Sequence, residues 1–194
     1  MKSLYPLVLS FTLAAIGNAQ VKPLASAEMQ KDLDTMARVA SVMLDGDVCQ
    51  KIVTRRAKDF MFANDPRDPW IADDNYDVDD ASFSAVKRTL IRLSHLAPFP
   101  ADVNLWMPIE GHADKIQIVI RNKNEMSQFW TWGALYQNKP PQMESVLKTG
   151  QRVTVTGRPG WISVLAPVYN SLGDIVGLIE AVGRVATDSH ENVK

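Results

Sequence analysis

The sequence predicts an α+β domain: a five-stranded antiparallel sheet with a long N-terminal helix and a helical crossover. Three observations carry that expectation. Apolar residues recur at helical spacing through the first half of the chain. From Ala101 onward they alternate at strand spacing instead. The composition, 46% hydrophobic and 22% charged over 194 residues, is that of an ordinary globular protein, which excludes disordered, collagen-like and coiled-coil chains. With 21 basic against 22 acidic residues there is no cationic excess, so a nucleic-acid partner is not expected.

The N-terminus reads as a leader. Lys2 precedes an apolar run over residues 4–16, and Gly17, Asn18 and Ala19 supply small residues before Gln20. Residues 1–19 are therefore expected to be a secretory signal peptide, too short in its apolar part to span a bilayer, which needs roughly 20 such residues. That places the mature chain in the periplasm or outside the cell. The organisation that follows is a helical region over 20–98, a sheet region over 99–186 that forms one globular unit with it, and a flexible tail over 187–194.

Ser26 is a candidate N-cap. Met29, Leu33, Met36, Ala40 and Met43 then follow at steps of four, three, four and three, one apolar stripe on a helix. Gly46 marks a point of kinking or restart, after which Val48, Ile52 and Phe60 extend the helix to about residue 62. A second helix is expected over about 81–95, with Phe83, Val86, Leu90 and Leu93 as its stripe. Between the two, Pro66 and Pro69 and a run of aspartates make a loop. Val103, Leu105 and Met107, then Ile116, Ile118 and Ile120, alternate on either side of a turn around Gly111 and read as a hairpin. An irregular or helical insert follows. It holds Phe129, Trp130 and Trp132, then a short helix over about 142–148 with Gly150 as its C′ residue. A short strand at Val153 and Val155 and longer strands over 161–169 and 175–185 complete the sheet. The last is apolar on both faces and so should be central.

The C-terminal part carries Val146-Leu147-Lys148-Thr149-Gly150, then Trp161-Ile162-Ser163-Val164-Leu165-Ala166-Pro167-Val168-Tyr169, then Gly173-Asp174-Ile175-Val176-Gly177-Leu178-Ile179-Glu180. Together with the order of two strands, helical crossover and three-strand meander, these segments resemble the PAS-like fold. They are most similar to its extracytoplasmic version, the Cache sensor domain, which adds a long helix along the sheet. The resemblance implies a free-standing, exported module that binds or senses a small ligand and acts in signal transduction without an output domain of its own. Phe129-Trp130-Thr131-Trp132 lacks the arginine of the amino-acid-binding subgroup, so that ligand is not implied. The resemblance also implies pairing through the first helix, or a membrane sensor or other exported protein as partner.

Trp106, Arg121, Trp130, Trp132 and Tyr169 are the candidate ligand residues. Aromatic side chains suit the wall of a pocket between sheet and crossover, and Arg121 suits a carboxylate or phosphate. The bland alternative is that the tryptophans fill the core and Arg121 sits in water. Asp73, Asn75, Asp77 and Asp79 have the alternate spacing of a Ca²⁺ loop. Val78 and Ser84 stand where such a loop needs Gly and Glu, so the loop reads as a weak cation candidate beside its plainer role as a solvated helix entry. No cofactor is expected. Cys49, the one cysteine, has no intrachain partner and suits a buried position. His95, His112 and His190 are too scattered for a local zinc site. Glu180 is a lone carboxylate in an apolar strand. No nucleophile elbow or phosphate loop is present, so an enzyme is not expected. The alternative functions are an interaction module acting through the N-terminal helices, or Ca²⁺ binding by loop 73–80.

Overall fold

A computed structural model describes residues 26–62, 78–130 and 136–185. The expected leader and tail lie outside the described residues.

The chain is α+β, as the two periodicities predict, but the sheet has six strands rather than five. Helix α1 (Ser26–Met43) is followed by α2 (Gly46–Ile52), α3 (Arg55–Met61) and α4 (Asp80–Ser94). Strands β1 (Ala101–Ile109) and β2 (His112–Ile120) form the expected hairpin. The additional strand, β3 (Tyr136–Asn138), then pairs with β2 through Lys115, Ile116 and Gln117. Three residues are too few to show a period, which is why the insert hid it. Helix α5 (Pro141–Thr149), β4 (Val153–Val155), β5 (Trp161–Tyr169) and β6 (Ile175–Arg184) follow. The spatial order is β3-β2-β1-β6-β5-β4, and every pair is antiparallel. As expected, β6 is central, flanked by β1 and β5.

The expected single helix over 26–62 is three helices. Its first break is set by Gly46, where an added Cβ would lie 2.4 Å from the Tyr169 carbonyl oxygen, so the backbone can approach the end of β5 only without a side chain. Asp45 caps the restart by accepting from the Asp47 N–H at 2.9 Å. The second break falls at Val53, which bridges to Val78. Thr54 then accepts from the Ala57 N–H at the start of α3.

The sheet is covered on both faces, and each strand sorts its side chains accordingly. Val103, Leu105, Met107 and Ile109 of β1 point to the face covered by α1, α2 and α4, where they belong to one core with Met29, Leu33, Met36 and Ala40 of α1. Four of the five residues of the expected α1 stripe are thus used inside the protein, against β5 and β6. Met43 is left exposed. Asp102, Asn104 and Trp106 point to the other face, covered by α5 and the crossover segment 122–130. There Trp106, Ile116, Ile118, Leu165 and Leu178 pack with Met143 and Val146. Pro167 fits in β5 because β4 pairs only with Ser163, Val164 and Leu165, leaving β5 an edge farther along. Its carbonyl accepts from the Ser41 hydroxyl of α1 at 2.6 Å.

Candidate functional site

Two regions of this fold hold polar groups inside an apolar frame, one on each face of the sheet. The first lies under the crossover. Glu180 of β6 is wholly buried there, and Asn104 is its neighbour on β1. One carboxylate oxygen of Glu180 accepts from the Ser127 hydroxyl at 2.6 Å and the Trp106 indole N–H at 3.2 Å. The other accepts from the Gln128 backbone N–H and the Ser163 hydroxyl, both at 2.8 Å. The proton positions follow from the surroundings. Ser127 Oγ also accepts from the backbone N–H groups of Phe129 and Trp130, and Ser163 Oγ accepts from the Gln128 side-chain amide, so both hydroxyl hydrogens are free to point at the carboxylate. Burial is the largest influence on Glu180 and pushes its carboxyl above the usual range. The four hydrogen bonds pull against it.

Asp102, also buried, repeats the device two residues back along β1. It accepts from the Met126 backbone N–H and from the Asn124 side chain, both at 2.9 Å. Asn104 and Asn122 complete the seam. Asn104 accepts from the Asn122 N–H and donates to the Met126 carbonyl. The two carboxylates thus stitch 122–130 to the sheet through main-chain donors. A carboxylate has about four good acceptor positions, and those of Glu180 are filled by the protein itself. This constellation is an internal clamp.

Of the residues expected to line a ligand pocket, three meet in this region. Trp106 is 1% exposed and bonded to Glu180. Trp130 packs on the same apolar cluster, and the Arg121 guanidinium lies 4.4 Å from the Trp130 ring centre. Arg121 is half-exposed and also faces Glu125 at 3.7 Å. Tyr169 lies elsewhere, outside that cluster, with its hydroxyl against Gly150 at the end of α5. Trp132 lies outside the described residues, as do Asp73, Asn75 and Asp77. Asp79 caps α4, accepting from the Ser82 N–H at 2.8 Å, and hydrogen bonding by the Ser82 side chain and backbone holds its carboxyl below the usual range. Among the described residues no group of three or more His, Cys, Asp or Glu side chains is placed to hold a metal ion.

The second region is a cleft on the opposite face. It is a pocket of about 400 Å³ between α2–α3 and the adjoining ends of β1, β2 and β6. Val53, Met107, Ile109 and Val176 supply apolar wall, and Lys58 and Glu110 stand at its rim, paired at 3.0 Å. A second hollow of about 470 Å³ shares those two residues and adds Arg55 and Asp59, so the mouth is lined by both signs of charge. The Lys58 ammonium, with a smaller contribution from Arg55, holds the exposed Glu110 carboxyl below its usual range. Cys49 lines the inner part, and burial pushes its thiol up to about 12.

Gln117 of β2 decides how this cleft is read. It sits opposite Met107 in the β1–β2 register, lines the pocket and is 3% exposed. Its side-chain carbonyl oxygen is buried without a hydrogen-bond partner, alone in this among the described side chains. An unmatched buried acceptor costs about 1–3 kcal/mol. Sequence reasoning missed the residue because a glutamine between two isoleucines, Ile116 and Ile118, reads as the solvent-facing member of an alternating strand. The one signal available was the apolar run that follows it, which shows β2 buried on both faces at this end.

No family model and no curated protein matches the chain.

Proposed function

We propose that this protein is an exported small-ligand-binding or sensory domain of Cache-like type, and that its ligand enters the cleft between α2–α3 and the sheet. The cleft itself, with its apolar wall and charged rim, is the observation that carries the reading. Gln117 on its wall, whose buried carbonyl lacks a partner, supports it. The hairpin, the crossover containing α5, the meander that returns β6 beside β1, and α1 lying along β5 and β6 support the Cache-like part. The signal-peptide-like sequence of residues 1–19 supports export. The crossover face is a poor place for the ligand, because the donors there are already committed to Glu180 and Asp102.

The test is thermal unfolding of the full chain against a panel of metabolites and Ca²⁺. A ligand at 100 times its dissociation constant adds about 2.7 kcal/mol of stability. A hit whose effect disappears in Gln117→Leu but survives in Arg121→Ala supports the cleft. The reverse pattern moves the site to Arg121 and Trp130, and a shift with Ca²⁺ alone moves it to loop 73–80.

A second reading has its own observation. Val42 and Met43, at the end of α1, and Leu172, on the β5–β6 turn, are 83%, 60% and 84% exposed. That turn is tied to α2 by the Ser171 N–H donating to Asp47 at 3.0 Å. Apolar side chains held out on an anchored end suit an interaction module. Silence across the whole panel together with co-purification of a defined exported protein that Val42→Asp abolishes would favour it.

A further inference from the structure

One end of the sheet is cationic. It gathers the starts of β1 and β5 and the end of β6, where Ala101 pairs with Gly183 and Trp161 with Arg184. Three connecting segments cross the same end. The link from α4 to β1 passes Gly183, its Phe99 ring 2.9 Å from where a Cβ there would stand. The crossover begins here, with the Asn124 side chain donating to the Ala101 carbonyl at 3.4 Å. The β4–β5 turn is pinned by the Val185 N–H, which donates to the Gly160 carbonyl at 2.8 Å.

Each of these segments brings cations. Arg92 stands in the last turn of α4, and Lys123 donates to the His95 ring at 2.8 Å. The Arg121 guanidinium lies over Trp130. Arg158 and Arg184 both lie over Trp161, 4.5 and 5.8 Å from its ring centre. All five are exposed. Of these five, only Arg121 has a carboxylate in ion-pair reach among the described residues, Glu125 at 3.7 Å. Asp102 and Glu180 are buried and spend their acceptors inside the fold. Glu28, near the start of α1, is offset by Lys31 three residues on. Leu96, between α4 and β1, is 59% exposed among these charges.

The width of this patch says what answers it. Neighbouring strands are about 4.8 Å apart, so the row from β2 across β1 and β6 to β5 is roughly 15 Å wide. One phosphate or carboxylate cannot meet cations so spread, whereas a plane of many phosphates can. Guanidiniums laid on indoles, with an exposed leucine among them, suit the headgroup layer of a bilayer, where amphipathic side chains keep a polar tip in water and an apolar body below it. We propose that this end of the sheet docks on an anionic lipid surface. Arg121, Lys123, Arg158 and Arg184 lie on the phosphates, and Leu96 enters the layer. The cleft rimmed by Lys58 and Glu110 is at the other end of β1 and stays open to solvent.

The test is co-sedimentation of the full chain with vesicles of phosphatidylcholine alone or mixed equally with phosphatidylglycerol. Residues 1–19 are common to every variant, and the attraction of their apolar run to bilayers shows on neutral vesicles too, so the readout is the gain on anionic ones. The expected gain is at least about tenfold at low salt and shrinks as salt screens it. Arg158→Gln with Arg184→Gln, and separately Arg121→Gln with Lys123→Gln, should each cut it about thirtyfold or abolish it. Lys148→Gln on α5, a cation away from this patch, should leave it unchanged, and all variants should keep the parent unfolding midpoint. Equal binding to both vesicles overturns the proposal, as does a gain that survives both double substitutions. Displacement from vesicles by millimolar glycerol phosphate assigns a discrete phosphate site instead and overturns the docking surface. Polyglutamate bound as tightly as the vesicles overturns the choice of lipid.

Discussion

Ser127→Ala tests the clamp under the crossover most directly. The substitution removes one oxygen and changes little else in volume. It deletes the 2.6 Å donation to Glu180 and the acceptor that the Phe129 and Trp130 N–H groups share at 3.0 Å. A hydrogen bond to a charged group contributes about 1.5–3 kcal/mol, and the two part-buried N–H groups add a fraction of the usual penalty for unpaired donors. The expected loss is about 2–4 kcal/mol, or about 5–15 °C in midpoint for a domain of this size. The pH dependence gives a second readout. Glu180 is raised by burial, so the stability linked to its neutral form is fully present below its ordinary pKa and is lost as pH rises through its value in the fold. Removing Ser127, which pulls that value down, raises it further. The deficit of the variant must therefore grow as pH rises through the value in the fold. Urea unfolding of both proteins from acid to alkaline pH measures it. A deficit under about 0.5 kcal/mol, or one that does not grow anywhere with rising pH, would refute the argument that this hydroxyl supports a buried carboxylate.

Three further outcomes follow from the same geometry. Gly46→Ala sets a methyl 2.4 Å from the Tyr169 carbonyl oxygen and 2.7 Å from Val176 Cγ2, and backbone cannot yield cheaply; denaturant unfolding should show a loss of about 1–3 kcal/mol. Asp79→Ala removes the cap of α4 and should cost about 1 kcal/mol, read from the same experiment. The Cys49 thiol, wholly buried and pushed up to about 12, should resist a thiol-specific reagent in the native protein at pH 8 and react fully in denaturant. Because its value is raised, any stability it carries is present below about 9 and lost as pH climbs toward 12.

The parts of the fold that could be read from sequence are those whose pattern repeats. The α1 stripe, the alternation in β1 and β2, and the doubly apolar β6 each extend over enough residues to fix a period and a face. Gly150 ends α5 in the left-handed conformation, as a C′ glycine should. The rest depended on contacts distant in sequence. Gly46 could be read as a weak point, but what breaks the helix there is the backbone of Tyr169, on a strand far along the chain. β3 is a strand only because Lys115, Ile116 and Gln117 lie beside it. Among the candidate site residues, Trp106, Arg121 and Trp130 lie in one region and Tyr169 lies outside it. That Trp106 would spend its N–H on Glu180 was not legible, because nothing in a strand pattern says which acceptor an inward indole will meet.

The contrast between Glu180 and Gln117 shows why polar residues in the sheet should be judged by their partners rather than by their chemistry. From sequence, Glu180 is the more suggestive of the two, a carboxylate in an apolar strand. In the fold it is surrounded by donors whose other bonds are also made, and any ligand approaching it would have to displace main-chain N–H groups that hold the crossover in place. Gln117 is unremarked in the sequence, yet it lines a pocket with an acceptor that nothing in the described structure meets. Polar groups that the protein satisfies itself bind its own segments together. A group left unmatched on a residue that lines a cleft has made no such commitment. By that criterion the face of the sheet toward α2 and α3, and not the tryptophan-rich crossover face, is where ligand chemistry should be sought.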